Sequence, residues 1–175
     1  MSDEAASDPK PRKGSRRTAA RVLAVQALYQ IDMSGADTAE VIKEFRRHRV
    51  EGGKDAPDAK LFAGIVAGGG TRQAEIDALL RPALAEGWAL ERLDAVMRSL
   101  LRAAIAELME QTETPARVIL NEYIQVAHSF FPAKETGFIN GVLDRLARQL
   151  RPAEIGPDAK APPEGKSGGK RQTER

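Results

Sequence analysis

No cysteine occurs anywhere in the 175 residues. That excludes a disulfide framework, thiolate zinc or iron–sulfur sites and a cysteine nucleophile, and leaves a packed apolar core to supply stability. A reducing cytoplasm suits such a chain. Long apolar runs are missing as well: no stretch approaches the roughly 18 to 20 residues that span a bilayer, and Met1 to Arg21 lacks the apolar segment of a secretory signal. The expectation is a soluble, unexported protein with no membrane partner. Histidine is scarce: His48 and His128 are the only two, and neither stands near a Gly-x-Ser-x-Gly elbow or another nucleophile setting. No dinucleotide fingerprint, P-loop or HExxH pair is present. Glu75 and Asp77, two apart, face different sides of a helix, and Glu107 and Glu110 lack an accompanying metal or acid–base motif. All four read as solvated faces. These absences argue against an enzyme and leave no cofactor and no metal to expect.

What the chain does have is an uneven distribution of charge. The formal net charge is +2, yet residues 1–21 carry six bases against three acids and residues 151–175 six against four, while the body between them is net acidic. From Lys10 to Arg21 there are six positive charges and no negative one, a density that attracts phosphate or acidic partners. Residues 1–15 and 152–175 are rich in Ser, Pro, Gly, Lys and Asp, with Ile155 the one sizeable hydrophobe beyond Pro152. They bury too little to offset ordering entropy, so the reading is a disordered basic arm (1–15), a folded domain (16–151) and a disordered tail (152–175).

Within the folded part the apolar period is helical. Leu93, Val96, Met97, Leu100, Leu101, Ala104, Ile105 and Leu108 trace one stripe at offsets of three and four, which an alternating strand would not produce. Asp94, Arg98, Arg102 and Glu107 fall outside it, with Asp94 and Arg98 spaced to meet. Arg17–Asp32 is apolar almost all round and reads as a central helix. Shorter helices are expected over 38–49 and 58–84, the latter kinked or broken at Gly68-Gly69-Gly70, where three glycines cost roughly 2 to 3 kcal/mol relative to alanines. Glycines that admit a neighbouring helix explain that run better than a phosphate cradle does. Thr114 caps and Pro115 opens a further helix, which Phe131-Pro132 ends. A last one covers about 134–150. The fold class is all-α, a compact bundle of six or seven helices. An apolar helix face that serves such a core also suits a homodimer, and the oligomeric state stays open.

Arg17, Arg21, Val25 and Tyr29 follow one another at four-residue steps, an edge that can grip phosphates and then stack a base, as single-stranded RNA is bound. Composition alone leaves equally open that Tyr29 is a core residue and that the bases only solubilise a tail.

Four segments carry a family likeness: Arg21-Val-Leu-Ala-Val-Gln-Ala-Leu-Tyr29-Gln30, Leu100-Leu-Arg-Ala-Ala-Ile-Ala-Glu-Leu108, Pro115-Ala-Arg-Val-Ile-Leu-Asn-Glu-Tyr123 and Gly137-Phe-Ile-Asn-Gly-Val-Leu-Asp144. In order and content they resemble the NusB family of bacterial transcription antitermination factors, over nearly the whole folded part. The resemblance implies an all-α protein of two helical subdomains that binds boxA RNA together with the ribosomal protein NusE. It also implies that the pair joins RNA polymerase and other Nus factors, opposing premature termination on ribosomal RNA operons without catalysing a reaction. Residue by residue, it implies RNA contacts from Arg16, Arg17 and Arg21, with Arg12 and Lys13 as extensions, from Gln26 and Tyr29 on the same helix, and from Lys134, Phe138 and Asn140. Asn140-Gly141 also suits tight helix contact. Two positions depart from relatives: Met97 and Lys134 both stand where some carry an acid, and a base beside RNA should strengthen a phosphate contact. The alternatives are a helical protein–protein adaptor that binds no RNA, and a stand-alone relative of the RNA-binding domain fused to some RNA methyltransferases.

Overall fold

The computed structural model describes residues 13–156, in which all regular structure is helical. Eight α-helices follow one another: α1 (Lys13–Ser34), α2 (Thr38–Phe45), α3 (Ala59–Thr71), α4 (Gln73–Ala83), α5 (Ala95–Glu110), α6 (Ala116–Phe130), α7 (Ala133–Leu150) and α8 (Pro152–Ile155). A widened π-turn, Arg46–Val50, extends α2, and a 3-10 turn, Leu90–Arg92, precedes α5.

The central element is α5, not the N-terminal helix. Every residue of α5 from Ser99 to Leu108 is buried. It packs against α1 and α3 on one side and against α4, α6 and α7 on the other, which divides the bundle into two halves that share one axis. The apolar stripe runs as the spacing indicates, but Arg102 and Glu107 go inside with it because each finds an opposite charge there. Arg102 Nε and Nη2 donate to the two oxygens of Asp77 at 2.8 and 2.9 Å, and Glu107 receives Arg21. Asp94 does not pair with Arg98. Its carboxylate caps α5 by accepting from the backbone N–H of Val96 and Met97, while Arg98 reaches across to Asp32 on α1 at 2.7 Å.

The three glycines do not interrupt α3. The helix runs through Gly68–Gly70 and stops only at Arg72, whose backbone leaves the helical region. A methyl group at Gly69 would lie 2.8 Å from Leu28 of α1, so close helix approach offsets the glycines' backbone entropy and keeps the turn intact.

The cap of α6 also differs from expectation. Pro115 precedes its first helical residue, and the backbone N–H of Ala116 donates to Glu154 Oε1 at 3.2 Å. Thr114 instead accepts from Arg17. Glu154 belongs to α8, so part of the stretch expected to be a disordered tail is folded: Ile155 is buried, and Arg151 donates to the carbonyls of Leu108, Gln111 and Thr114 at the end of α5. At the other end α1 begins at Lys13, ahead of the boundary expected at Arg16. The remainder of the expected arm and tail, residues 1–12 and 157–175, lies outside the described residues. No helix among the described residues is long and apolar enough to cross a membrane.

Candidate nucleic-acid interface

An α-helix turns about 40° beyond a full circle with each four-residue step, so a ridge of i+4 neighbours winds around its cylinder. The edge expected through Arg17, Arg21, Val25 and Tyr29 does so. Arg17 is half-buried, Arg21 and Val25 are inside, and Tyr29 returns to the surface at 38% exposure.

Arg21 therefore leaves the set of RNA contacts. Its side chain is 2% exposed, Nη2 donates to Glu107 Oε1 at 2.6 Å, and Nη1 lies 3.3 Å from Glu122. Burial works against its charge, but the hydrogen bond and proximity to Glu107 outweigh it and hold the guanidinium's pKa above its ordinary value. A cation committed to two internal carboxylates has nothing left for phosphate.

The other arginines at this end diverge. Arg16 is exposed and its Nε donates to the Ala56 carbonyl at 2.7 Å, toward the loop before α3. Arg17 turns the opposite way, Nη2 donating to Thr114 at 3.2 Å beside α6. Lys13 opens the helix, and Arg12 lies outside the described residues. Gln26 is half-buried, its side-chain oxygen accepting from Arg49 Nη1 at 2.9 Å.

On α7, Lys134 and Phe138 are one turn apart and share a face, with Lys134 exposed and Phe138 half-buried. Asn140 is exposed too, but two residues beyond Phe138 it points about 200° away around the helix, so adjacency in the motif does not become adjacency in space. Nor is Gly141 a point of tight helix contact, since a methyl there would meet only the end of Arg145 at 3.8 Å. Met97, 5% exposed, is part of the core and offers no surface to a partner.

Two features escaped the sequence reading. Trp88, the single tryptophan, is 54% exposed in the loop after α4, and its ring packs on Phe138 with centroids 4.9 Å apart and planes tilted by 35°. The two are fifty residues apart, so no local period relates them. A lone tryptophan beside a glycine in a loop was the available signal. The second is the run Arg46-Arg47-His48-Arg49, all exposed on the π-turn between buried Phe45 and Val50. Its basic density was legible; that the widened turn exposes all four side chains was not.

The candidate surface thus comprises Arg16 and Arg17 at the start of α1, Tyr29 toward its end, and the Trp88–Phe138 pair with Lys134. Tyr29 makes no ring contact with that pair among the described residues. The two ends are joined through Asp32, which binds Arg98, whose guanidinium also holds the Leu90 and Leu93 carbonyls of the loop carrying Trp88.

The NusB family model matches residues 18–148. A transcription antitermination protein NusB of Bradyrhizobium sp. (strain BTAi1) is 46% identical over 151 residues, 83% of this chain and 89% of that protein. The structure of NusB from T. maritima superposes with a TM-score of 0.67 at 27% identity, over 79% of this chain and 95% of that one. A NusB solved with NusE and dsRNA gives 0.65 at 24% identity, over 77% and 98%, and supports the fold.

Proposed function

The chain belongs to the NusB family, and from that premise we propose that it is an RNA-binding transcription antitermination factor of the cytoplasm. It binds boxA-type single-stranded RNA together with NusE and joins the RNA polymerase antitermination complex on ribosomal RNA operons as an adaptor, without turnover.

The observation that carries this reading is the open aromatic pair Trp88–Phe138, one helical turn from exposed Lys134. A tryptophan half in water beside a second ring and a cation is costly to leave uncovered, and it is the arrangement on which a splayed base stacks while its phosphate meets the ammonium group. Tyr29 supplies a second stacking surface, and Arg16 and Arg17 hold the backbone, with Arg12 and Lys13 as extensions. Gln26 serves by holding Arg49, and Asn140, on another face of α7, is left out of the stacking surface. Arg21 serves by fixing α1 against α5 and α6.

The reading is tested by titrating a boxA-type RNA and a shuffled RNA of the same composition into the protein, with and without NusE. Preference for boxA that sharpens with NusE supports it. Equal affinity for both RNAs, or NusE binding with no effect on RNA, contradicts it and leaves the protein–protein adaptor reading.

A further inference from the structure

Beyond the surface just assigned, α1 has a second cationic border. Phe45 and Val50 are buried anchors, and the π-turn between them widens the helix so that Arg46, Arg47, His48 and Arg49 all reach solvent, with Lys43 exposed one turn earlier. In an ordinary α-helical turn four successive residues spread over about 300°, and one at least would face the core. Arg46, Arg47 and Lys43 line a concavity of about 420 Å3, completed by Ala39, Ile42 and Glu51. Four acids stand among or beside these cations: Glu40 and Asp55 are exposed, Glu44 accepts from Gln30 at 3.4 Å, and Glu51 lies 3.7 Å from Arg46. Against them stand the six bases Arg16, Lys43, Arg46, Arg47, Arg49 and Lys54. The border stays net positive.

This border is built rather than loose. Arg49 is held over the Phe45 ring, 5.2 Å from its centroid, while Nη1 donates to Gln26 at 2.9 Å, which fixes a planar fork suited to phosphate oxygens. It is also continuous with the start of α1. From the π-turn the chain runs through a loop bearing exposed Lys54 and returns to Arg16, which donates to Ala56 and accepts at its carbonyl from the Asp58 N–H at 3.1 Å. Arg16 and Gln26 are ten residues apart, about 15 Å along the helix. Arg16, Lys54, Arg49 and the Lys43–Arg46–Arg47 group therefore succeed one another alongside α1, with Glu51 and Asp55 between them.

We propose that this border is a second backbone-binding track, which takes the phosphates of RNA flanking the boxA element and carries the strand from Arg16 past Arg49 into the Lys43–Arg46–Arg47 concavity. The inference rests on the function proposed above. A linear series of cations beginning at an RNA contact and lacking an exposed apolar centre suits a polyanionic strand better than an acidic protein, whose interface would need such a centre.

The test compares a boxA-type 12-mer with the same RNA extended by ten uridines at either end, against the full chain and its Arg46→Gln/Arg47→Gln variant. Both side chains are exposed, so thermal unfolding should be unchanged. For the wild type, one extension should steepen the dependence of log affinity on log salt, and the two phosphates at Arg46 and Arg47 should contribute about 1.4 of that increase, at 0.7 per phosphate neutralised. That is about a sevenfold difference between 50 and 200 mM salt. The variant should bind the 12-mer as the wild type does and lose about 1.4 of the added slope. An extension that adds nothing, or a variant that keeps the full slope, overturns the track and leaves the boxA reading standing. A wild type that ignores the 12-mer overturns both.

Discussion

Arg21 and Glu107 form a two-pronged ion pair closed off from solvent, Nε donating to Oε2 at 2.9 Å and Nη2 to Oε1 at 2.6 Å. Glu122 stands at 3.3 Å on the guanidinium's other side. Tyr123, fully buried beside them, stays neutral because burial first and Glu107 next push its hydroxyl pKa well above 10.0. The pair locks α1 to α5 at the point where the arginine series of the first helix enters the core.

Arg21→Ala should therefore destabilise the fold by about 3 to 5 kcal/mol, because it strands a buried carboxylate. Arg21→Met/Glu107→Leu should cost less than either single change. Urea unfolding midpoints measure both. An Arg21→Ala protein as stable as the wild type would refute the structural role.

Arg16→Ala/Arg17→Ala should leave the urea midpoint nearly in place, since both residues stand at or near the surface. It should lower the salt slope of RNA binding by about 1.4, from two lost phosphate contacts. An unchanged slope removes these residues from the interface.

Trp88 is the single tryptophan, so its fluorescence reports on the ring packed against Phe138. RNA should quench it, and Phe138→Ala should weaken RNA binding by roughly 1 to 3 kcal/mol, the usual cost of losing a stacked ring. Quenching absent at saturating RNA would place the strand elsewhere.

Asp32 accepts from Arg98 and lies 3.1 Å from Arg102. Burial works to raise its pKa, but the hydrogen bonds and charges of the two arginines prevail and hold it below the ordinary 3.8. A depressed carboxylate contributes stability that is fully present above its unfolded value and lost as pH falls through the folded one. Asp32→Asn should thus be less stable than the wild type at pH 6, with the gap narrowing below about pH 3.8 as the native carboxylate is protonated. Chemical denaturation across pH 2.5 to 6 reads this out. A gap independent of pH would show that Asp32 contributes packing alone.

A methyl group at Gly70 would stand 2.6 Å from Thr38 Cγ2 and 3.1 Å from its Cβ. Gly70→Ala should gain up to about 1 kcal/mol of helix propensity and lose about 1 to 3 kcal/mol to overpacking against the β-branched Thr38. The expected result is net destabilisation in thermal unfolding. A stabilised variant would mean that α2 shifts freely away from α3.

The helices were legible wherever one apolar stripe repeated, as along Leu93–Leu108, and Pro115 and Pro132 marked ends that the structure keeps. Partners distant in sequence were not legible. Glu107 reads as a solvated acid until Arg21, 86 residues away, is placed against it. That the glycines at 68–70 admit a neighbouring helix was legible; that Leu28 is the residue that enters, and that α3 stays unbroken there, was not. The same limit hid the site: Phe138 was marked by its motif, but its Trp88 partner came from a loop, and Asn140 was separated from it by helical geometry that a linear motif does not convey.

The most direct test of the RNA-binding account is the affinity of the full chain for a boxA-type single strand as a function of salt, in the presence of NusE. The account predicts a linear fall of log affinity with log salt, about 0.7 for each phosphate contacted, accompanied by loss of Trp88 fluorescence. Absence of binding at low ionic strength, with NusE supplied and bound, would contradict it.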